Sequence, residues 1–240
     1  GGGAISAYTD YDIDITNSAF SNNNQYSEDG IGGGAIYIEN KESSSLQFTT
    51  INHCTFHKND DSKGTAGAIC TNVFGVRLSL VNSIFSGDQS KQLNVLGASE
   101  ILSLGGNVCS TDSRIELSLS GRVDSYYLLD HPTDLTETDP LLGELTGFGY
   151  GTRAYIPMPD SPAIGRAVVT DSKVDVDQLG VFRGESNTSG SIEFGSKVMQ
   201  DIASKDVVAV SLDAISIAQK LLSILEYFPI DFDKKKHEFM

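Results

Sequence analysis

The sequence predicts an all-β fold, a single-stranded parallel β-helix (solenoid) with a C-terminal α-helical cap, and three observations carry that reading. The opening phrase GGGAIS returns as GGGAIYI and then, weakened, as TAGAICT; aligned on alanine, the copies fall at Ala4, Ala35 and Ala68, 31 and 33 residues apart. A second phrase is interleaved with it, ITNSAFSNN, INHCTFHKN and LVNSIFSGD, centred on Phe20, Phe56 and Phe85. The composition, with 24 Gly, 6 Pro and no Trp in 240 residues, suits many short strands joined by polar turns.

A period near 30 residues belongs to the repeat architectures. The phrases alternate with period two and are rich in β-branched residues, which excludes helical repeats. The Leu-x-x-Leu-x-Leu frame of leucine-rich repeats is absent. A propeller blade needs four strands in roughly 40 to 45 residues, more than each repeat supplies. A coiled parallel sheet remains, one repeat per turn, with turns stacked at about 4.8 Å. Equivalent residues then form ladders: Ile5, Ile36 and Ile69; Ile15, Ile51 and Leu80; Phe20, Phe56 and Phe85. Glycine makes the sharp corner before each strand, where a side chain would clash or φ must be positive. The small alanine sits just past that corner. Asn23 and Asn59 are expected at a second turn, since Asn tolerates the left-handed region.

Ile15 and Phe20 are five residues apart and would face opposite sides of one straight strand. Both have core character, so a bend is expected between them, near Asn17 and Ser18, and at the matching pairs His53–Cys54 and Asn82–Ser83. Small polar residues at that inward corner would bond up and down the stack. His53 belongs to this column and reads as a ladder member before a catalytic base.

The net charge is -15. It argues against nucleic acid or an anionic membrane as partner and reads first as a solvated surface. No stretch of about 18 apolar residues is present, so no membrane-spanning segment is expected. Cys54, Cys70 and Cys109 form no Cys-x-x-Cys pair, and an odd count fits a disulfide framework poorly; buried free thiols are expected. The chain opens inside a repeat, without an initiator Met or leader, and so reads as a processed or excised piece of something longer.

Two resemblances follow from these phrases. Gly2-Gly3-Ala4-Ile5 with Phe20 to Asn23, and Gly33-Gly34-Ala35-Ile36 with Phe56 to Asn59, resemble the repeats of chlamydial polymorphic outer membrane proteins and related bacterial surface β-helices. The third copy departs, with Ala66 for the first glycine and Asp88 for the asparagine. Further on, Ser103-Leu104-Gly105 with Asn107, Asp139 to Gly143, Ser161 to Ile164, then Asp177, Gly180 and Arg183 resemble the secreted β-helix proteins called choice-of-anchor Q domain proteins. That series spans roughly residues 93 to 195. Gly165 stands where the pattern has Asp, and Leu179 where it has Arg, which argues against an ion pair between those positions. The resemblance implies a right-handed β-helix on a secreted or surface protein, and no reaction.

Three regions are expected: 1–90, coils carrying the repeats; 91–195, terminal coils and irregular closing loops; 196–240, a C-terminal helix and tail. ILSLGGNVCSTDS and RIELSLSG still alternate and are expected to form further coils. Ile215, Ala218, Leu221, Leu222 and Leu225 recur at helical spacing. Asp213 can cap the start and Pro229 ends the run. A helix over about 212–228 would cover the open end of the solenoid, which needs a lid.

β-Helices often host polysaccharide-active enzymes, whose chemistry needs clustered carboxylates with a base, often with calcium. The best acidic cluster is TDYDID, placing Asp10, Asp12 and Asp14 on one strand face as a candidate calcium site. A solvated strand face is the plainer account. Asp171, Asp175 and Asp177 form a second cluster, read as a turn-rich loop. No Asp-x-Asn-x-Asp-Gly loop is present, and Arg153, Arg166 and Arg183 are scattered. No catalytic residue and no cofactor other than calcium is therefore assigned. The expected function is a non-catalytic extracellular or cell-surface module for adhesion, surface structure or fibre assembly. Its partners would be a surface glycan or protein, copies of itself, or the rest of a longer chain. A polysaccharide lyase, glycosidase or epimerase is the alternative.

Overall fold

The structure, a computed structural model, describes residues 1–26, 32–41, 46–62, 66–72, 75–87, 91–95, 99–119, 122–147, 153–170, 174–183 and 187–194. The first repeat forms strands β1 (Ile5–Thr9), β2 (Ile13–Thr16), β3 (Ala19–Ser21) and β4 (Asn24–Gln25). The second forms β5 (Ile36–Asn40), β6 (Gln47–Asn52), β7 (Thr55–His57) and β8 (Asp60–Asp61). The third forms β9 (Ile69–Asn72), β10 (Val76–Val81) and β11 (Ile84–Ser86). A fourth turn, β12 (Leu93–Val95), β13 (Glu100–Gly105) and β14 (Val108–Cys109), follows without the glycine phrase.

Each strand pairs in parallel with its equivalent one turn away. Three four-stranded sheets result, in the orders β1-β5-β9-β12, β2-β6-β10-β13 and β3-β7-β11-β14, and β4 pairs with β8. The fold is a parallel β-solenoid, and the described residues hold no helix. The register is the one the repeats demand: Ile5 opposite Ile36 opposite Ile69, Ile15 opposite Ile51 opposite Leu80, and Phe20 opposite Phe56 opposite Phe85. The phenyl rings stack with centroids 4.9 and 5.1 Å apart and nearly parallel planes, because the strand spacing fixes the rung height. Ile36, Ile51, Ile69, Phe56, Leu80 and Phe85 are buried in one continuous core. Ile5, Ile15 and Phe20 are half-buried against its first-turn end.

The glycine phrase is explained by contact and not by φ. A Cβ on Gly33 would run into the Ile36 carbonyl and come within 2.7 Å of the Cys70 amide. On Gly34 it would meet the Gly67 carbonyl and lie 2.6 Å from the Asp60 amide. Neighbouring turns are too close there for any side chain.

The expected bend lies at the corner between the second and third sheets. Asn17, His53 and Asn82 hold φ of 46, 50 and 50° there, and Gly105 and Gly106 serve the fourth turn. The other turn corrects the sequence reading. The left-handed residues are Asn22 and Lys58, with φ of 53 and 51°, one position before Asn23 and Asn59. Asn59 is buried instead as a rung: its Oδ1 accepts from Asn23 N and Nδ2 at 3.0 and 2.8 Å, and its Nδ2 donates to Phe20 O at 2.9 Å.

After Cys109 the stack stops building. RIELSLSG does not supply another coil: β15 (Arg114–Leu119) pairs antiparallel with β16 (Arg122–Tyr127). Leu128 and Leu129 then enter the main core, and Leu135 adds one parallel bridge beside Val108. These residues cover the fourth turn. A second antiparallel hairpin joins β17 (Leu142–Gly147) and β18 (Arg153–Pro157). Gly1–Phe194 forms one compact unit. The helix expected over 212–228 lies outside the described residues.

Candidate functional site

The densest polar chemistry in the described structure lies at the corner between the second and third sheets. Its inner side is a hydrogen-bond ladder. The residue after each left-handed position points inward: Cys54 N donates to Ser83 Oγ (3.1 Å), Ser83 N to Asn107 Oδ1 (3.0 Å) and Asn107 N to Asp134 Oδ1 (2.9 Å). Ser103 Oγ donates to Asp134 Oδ2 at 2.5 Å, closing the top. The expected polar ladder is thus present, and it extends one level beyond the fourth turn.

The outer side is covered by a strap, formed by described residues of 161–194, within the region expected to hold terminal coils and closing loops. Its first pass descends the corner. Val168 exchanges hydrogen bonds with the Asn82 carboxamide, donating N–H at 2.7 Å and accepting at 2.9 Å, and Val176 O accepts from Asn17 Nδ2 at 2.6 Å. The return pass lies beside it. Ser189 Oγ donates to Gly106 O, Gly190 N to Asn82 O and Ser191 N to Thr55 Oγ1, at 2.5, 2.8 and 2.9 Å. All four turns are held. Gly190 is required here: its φ is 97°, and a Cβ would lie 2.7 Å from Ile84 Cδ1 and 2.8 Å from Thr55 Oγ1.

A buried ion pair locks the strap to itself and to the first turn. Arg183 donates to Glu193 (3.4 Å), to the carbonyls of Thr188 (2.9 Å) and Gly190 (2.8 Å), and to Asn17 Oδ1 (2.9 Å). Glu193 also accepts from Thr188 N and Oγ1 at 2.9 and 2.8 Å. Asp177 accepts the amides of Leu179, Val181 and Glu193 at 2.8, 2.9 and 2.9 Å. Burial pushes the Glu193 carboxyl above the ordinary range and the Arg183 guanidinium below it, each opposed by attraction to the other. His53 is buried under the return pass, with Nδ1 2.8 Å from Asn52 Oδ1 and Nε2 3.3 Å from Asn187 Oδ1. Burial first, and then the charge of Arg183, lower its pKa to about 3. His53 is therefore a neutral rung near neutral pH, sealed from solvent.

The described residues among those singled out from the sequence lie at several separate places in the fold. Asp10 lies in the bend after β1, Asp12 precedes β2 and only Asp14 is within it. Asp12 and Asp14 are both exposed, and Asp12 Oδ1 accepts the Phe48 amide at 2.9 Å. No group of three His, Cys, Asp or Glu among the described residues could hold a metal ion. Asp171 is outside the described residues, and Asp177 is a buried amide acceptor in the strap. Arg153 is exposed on β18, and Arg166 Nε donates to Pro162 O at 3.5 Å. Of these three arginines only Arg183 is drawn into the cluster, where it meets Asp177 and Glu193. Cys54, Cys70 and Cys109 are buried and free; burial pushes the Cys54 and Cys70 thiols up to about 12 and raises Cys109 as well. No described helix is long and apolar enough to cross a membrane.

The strap was missed because its partners are 83 to 166 residues away in sequence. Its one local signal is the pair Arg183 and Glu193 flanking the small polar run Asn187 to Ser191. Compared with known proteins, the chain matches no family model, no curated protein and no solved structure.

Proposed function

We propose that this chain is a non-catalytic β-solenoid module of the extracellular space or cell surface, a scaffold for adhesion or surface structure. The carrying observation is where the perturbed and buried titratable groups lie. His53, Arg183 and Glu193 are enclosed between coils and strap, and each is hydrogen-bonded to another part of the framework. An active site needs such groups open to a substrate; here they bond to neighbouring side chains and backbone. End-to-end fibre assembly is the least favoured of the structural roles, because Leu128 and Leu129 cover the core above the fourth turn. The two resemblances support the surface setting and the second a right-handed winding, while the helical spacing of Ile215, Ala218, Leu221, Leu222 and Leu225 supports a helix over 212–228. The natural partners in this reading are a surface glycan or protein, or further parts of a longer chain.

Incubation with acidic and neutral polysaccharides, followed for new reducing ends and unsaturated products, tests the reading. No turnover is expected. Turnover that disappears in Asp12→Asn would overturn it and make the first acidic segment an active site.

A further inference from the structure

The outer corner column reads Asn17, His53, Asn82, and its three members share one backbone conformation, with φ of 46, 50 and 50°. In the first and third turns the carboxamide clasps the strap with both its atoms: Asn17 through Val176 O and Arg183, Asn82 through both backbone groups of Val168. In the second turn the same post is held by an imidazole, whose Nε2 meets Asn187 of the return pass. Asparagine does not titrate in the physiological range, whereas histidine does. The column thus has one titratable pin between two that are not.

We propose that His53 makes the strap an acid-released latch: below neutral pH the imidazole binds a proton it cannot retain under the strap beside Arg183, and the return pass parts from the corner while the coils stay stacked.

The surroundings favour this sense. The cation facing His53 from the strap is Arg183. Asn52 from its own strand and Asn187 from the strap are neutral, and Cys54 beside it keeps its proton. Glu193 and Asp177 lie around Arg183 on the strap side and moderate its charge. With the strap closed, His53 titrates at about 3 against an ordinary 6.5. The closed form therefore binds the proton less tightly than the open form. Closure is fully favoured above 6.5, and its equilibrium constant falls by up to about tenfold per pH unit below that, until His53 is protonated in the closed form too. Glu193 acts in the opposite sense, since its raised pKa makes the closed form the tighter proton binder. The variant His53→Asn leaves the Glu193 response in place and removes that of His53. It also restores the residue type that the column carries on either side. Release would bare Thr55, to which Ser191 donates, and the flank of the third sheet.

The test is amide hydrogen exchange on the full chain from pH 7.5 to 5.0, corrected for intrinsic rates, in wild type and His53→Asn. Opening at Asn187 to Ser191 is expected to rise below pH 6.5 in the wild type by up to about tenfold per unit relative to the variant, with β6 and β10 unchanged. An identical pH response in both proteins overturns the latch, as does an unchanging strap in the wild type. Should His53→Asn fail to fold, the imidazole resonance of wild-type His53 decides. Titration near 6.5 with the strap still protected overturns the proposal. An imidazole unprotonated in the protected population, with opening that grows as pH falls, supports it.

Discussion

Phe56 lies between Phe20 and Phe85 with no solvent exposure, so its removal leaves a gap that the rings on either side cannot close without breaking strand register. Phe56→Ala is expected to lose about 3–5 kcal/mol in denaturant melts; a loss under about 1 kcal/mol would place Phe56 outside the core. Arg183 presents the opposite case, a buried charge with four acceptors. Arg183→Met leaves Glu193 buried without its cation and is expected to cost about 3–5 kcal/mol. Joint replacement with Glu193→Leu should recover part of that loss, since the pair's desolvation is then avoided. A double-mutant cycle reads the difference, and strictly additive losses would mean the two side chains are uncoupled. The buried thiols give a simpler check. With Cys54 and Cys70 held near 12, no thiolate is presented at pH 8, so a disulfide reagent should label the chain only after unfolding.

At the level of elements, the glycine phrase and the asparagine rung set the coil. Gly34→Ala would press a methyl against two backbone segments, Asp60 and Gly67, neither of which can turn aside as a side chain could. A loss of roughly 1–3 kcal/mol is expected. Gly147, on the β17 hairpin, has nothing within 4 Å of a built Cβ, and Gly147→Ala should be near neutral. Equal effects at the two positions in thermal melts would remove close approach as the reason for the repeat's glycines. The shift of the left-handed conformation from Asn59 to Lys58 has the same origin. A buried carboxamide that bonds three groups of the turn below is more useful as a rung than as a turn former, and Lys58, exposed to water, takes the strained backbone.

Over the whole molecule, stability is graded along the stack, because each turn contacts only its neighbours. The first turn has a partner on one side among the described residues, and Ile5, Ile15 and Phe20 are only half-buried. The second and third turns are covered on both sides and clasped by the strap. Hydrogen exchange on this 240-residue chain should therefore show β1 and β2 opening at lower free energy than β6 and β10. Uniform protection through all four turns would mean that the solenoid unfolds as a single cooperative unit.

The repeat was legible because a solenoid's core is written locally: each rung needs the same residue at the same place, so Ile5, Ile36 and Ile69, or Phe20, Phe56 and Phe85, announce the register by recurrence alone. The bend near Asn17 was legible too, from the odd spacing between two apolar residues. The end of the stack was not. RIELSLSG alternates as well as a coil strand does, and alternation alone does not distinguish a parallel partner one turn below from an antiparallel one across a tight connection. The candidate site was legible only in pieces. His53, Asn17 and Arg183 are each visible in the sequence, but nothing in the spacing joins them, because the strap bonds residues of all four turns that lie far from it in the chain. The period and the inward ladders follow from the sequence alone, since they depend on contacts between equivalent positions of successive repeats, and the free thiols follow from the odd cysteine count and spacing. Where coiling stops and which corner the returning chain seals came from the fold alone, since the first rests on the antiparallel choice of β15 and β16 and the second on scattered long-range hydrogen bonds that no periodic pattern encodes.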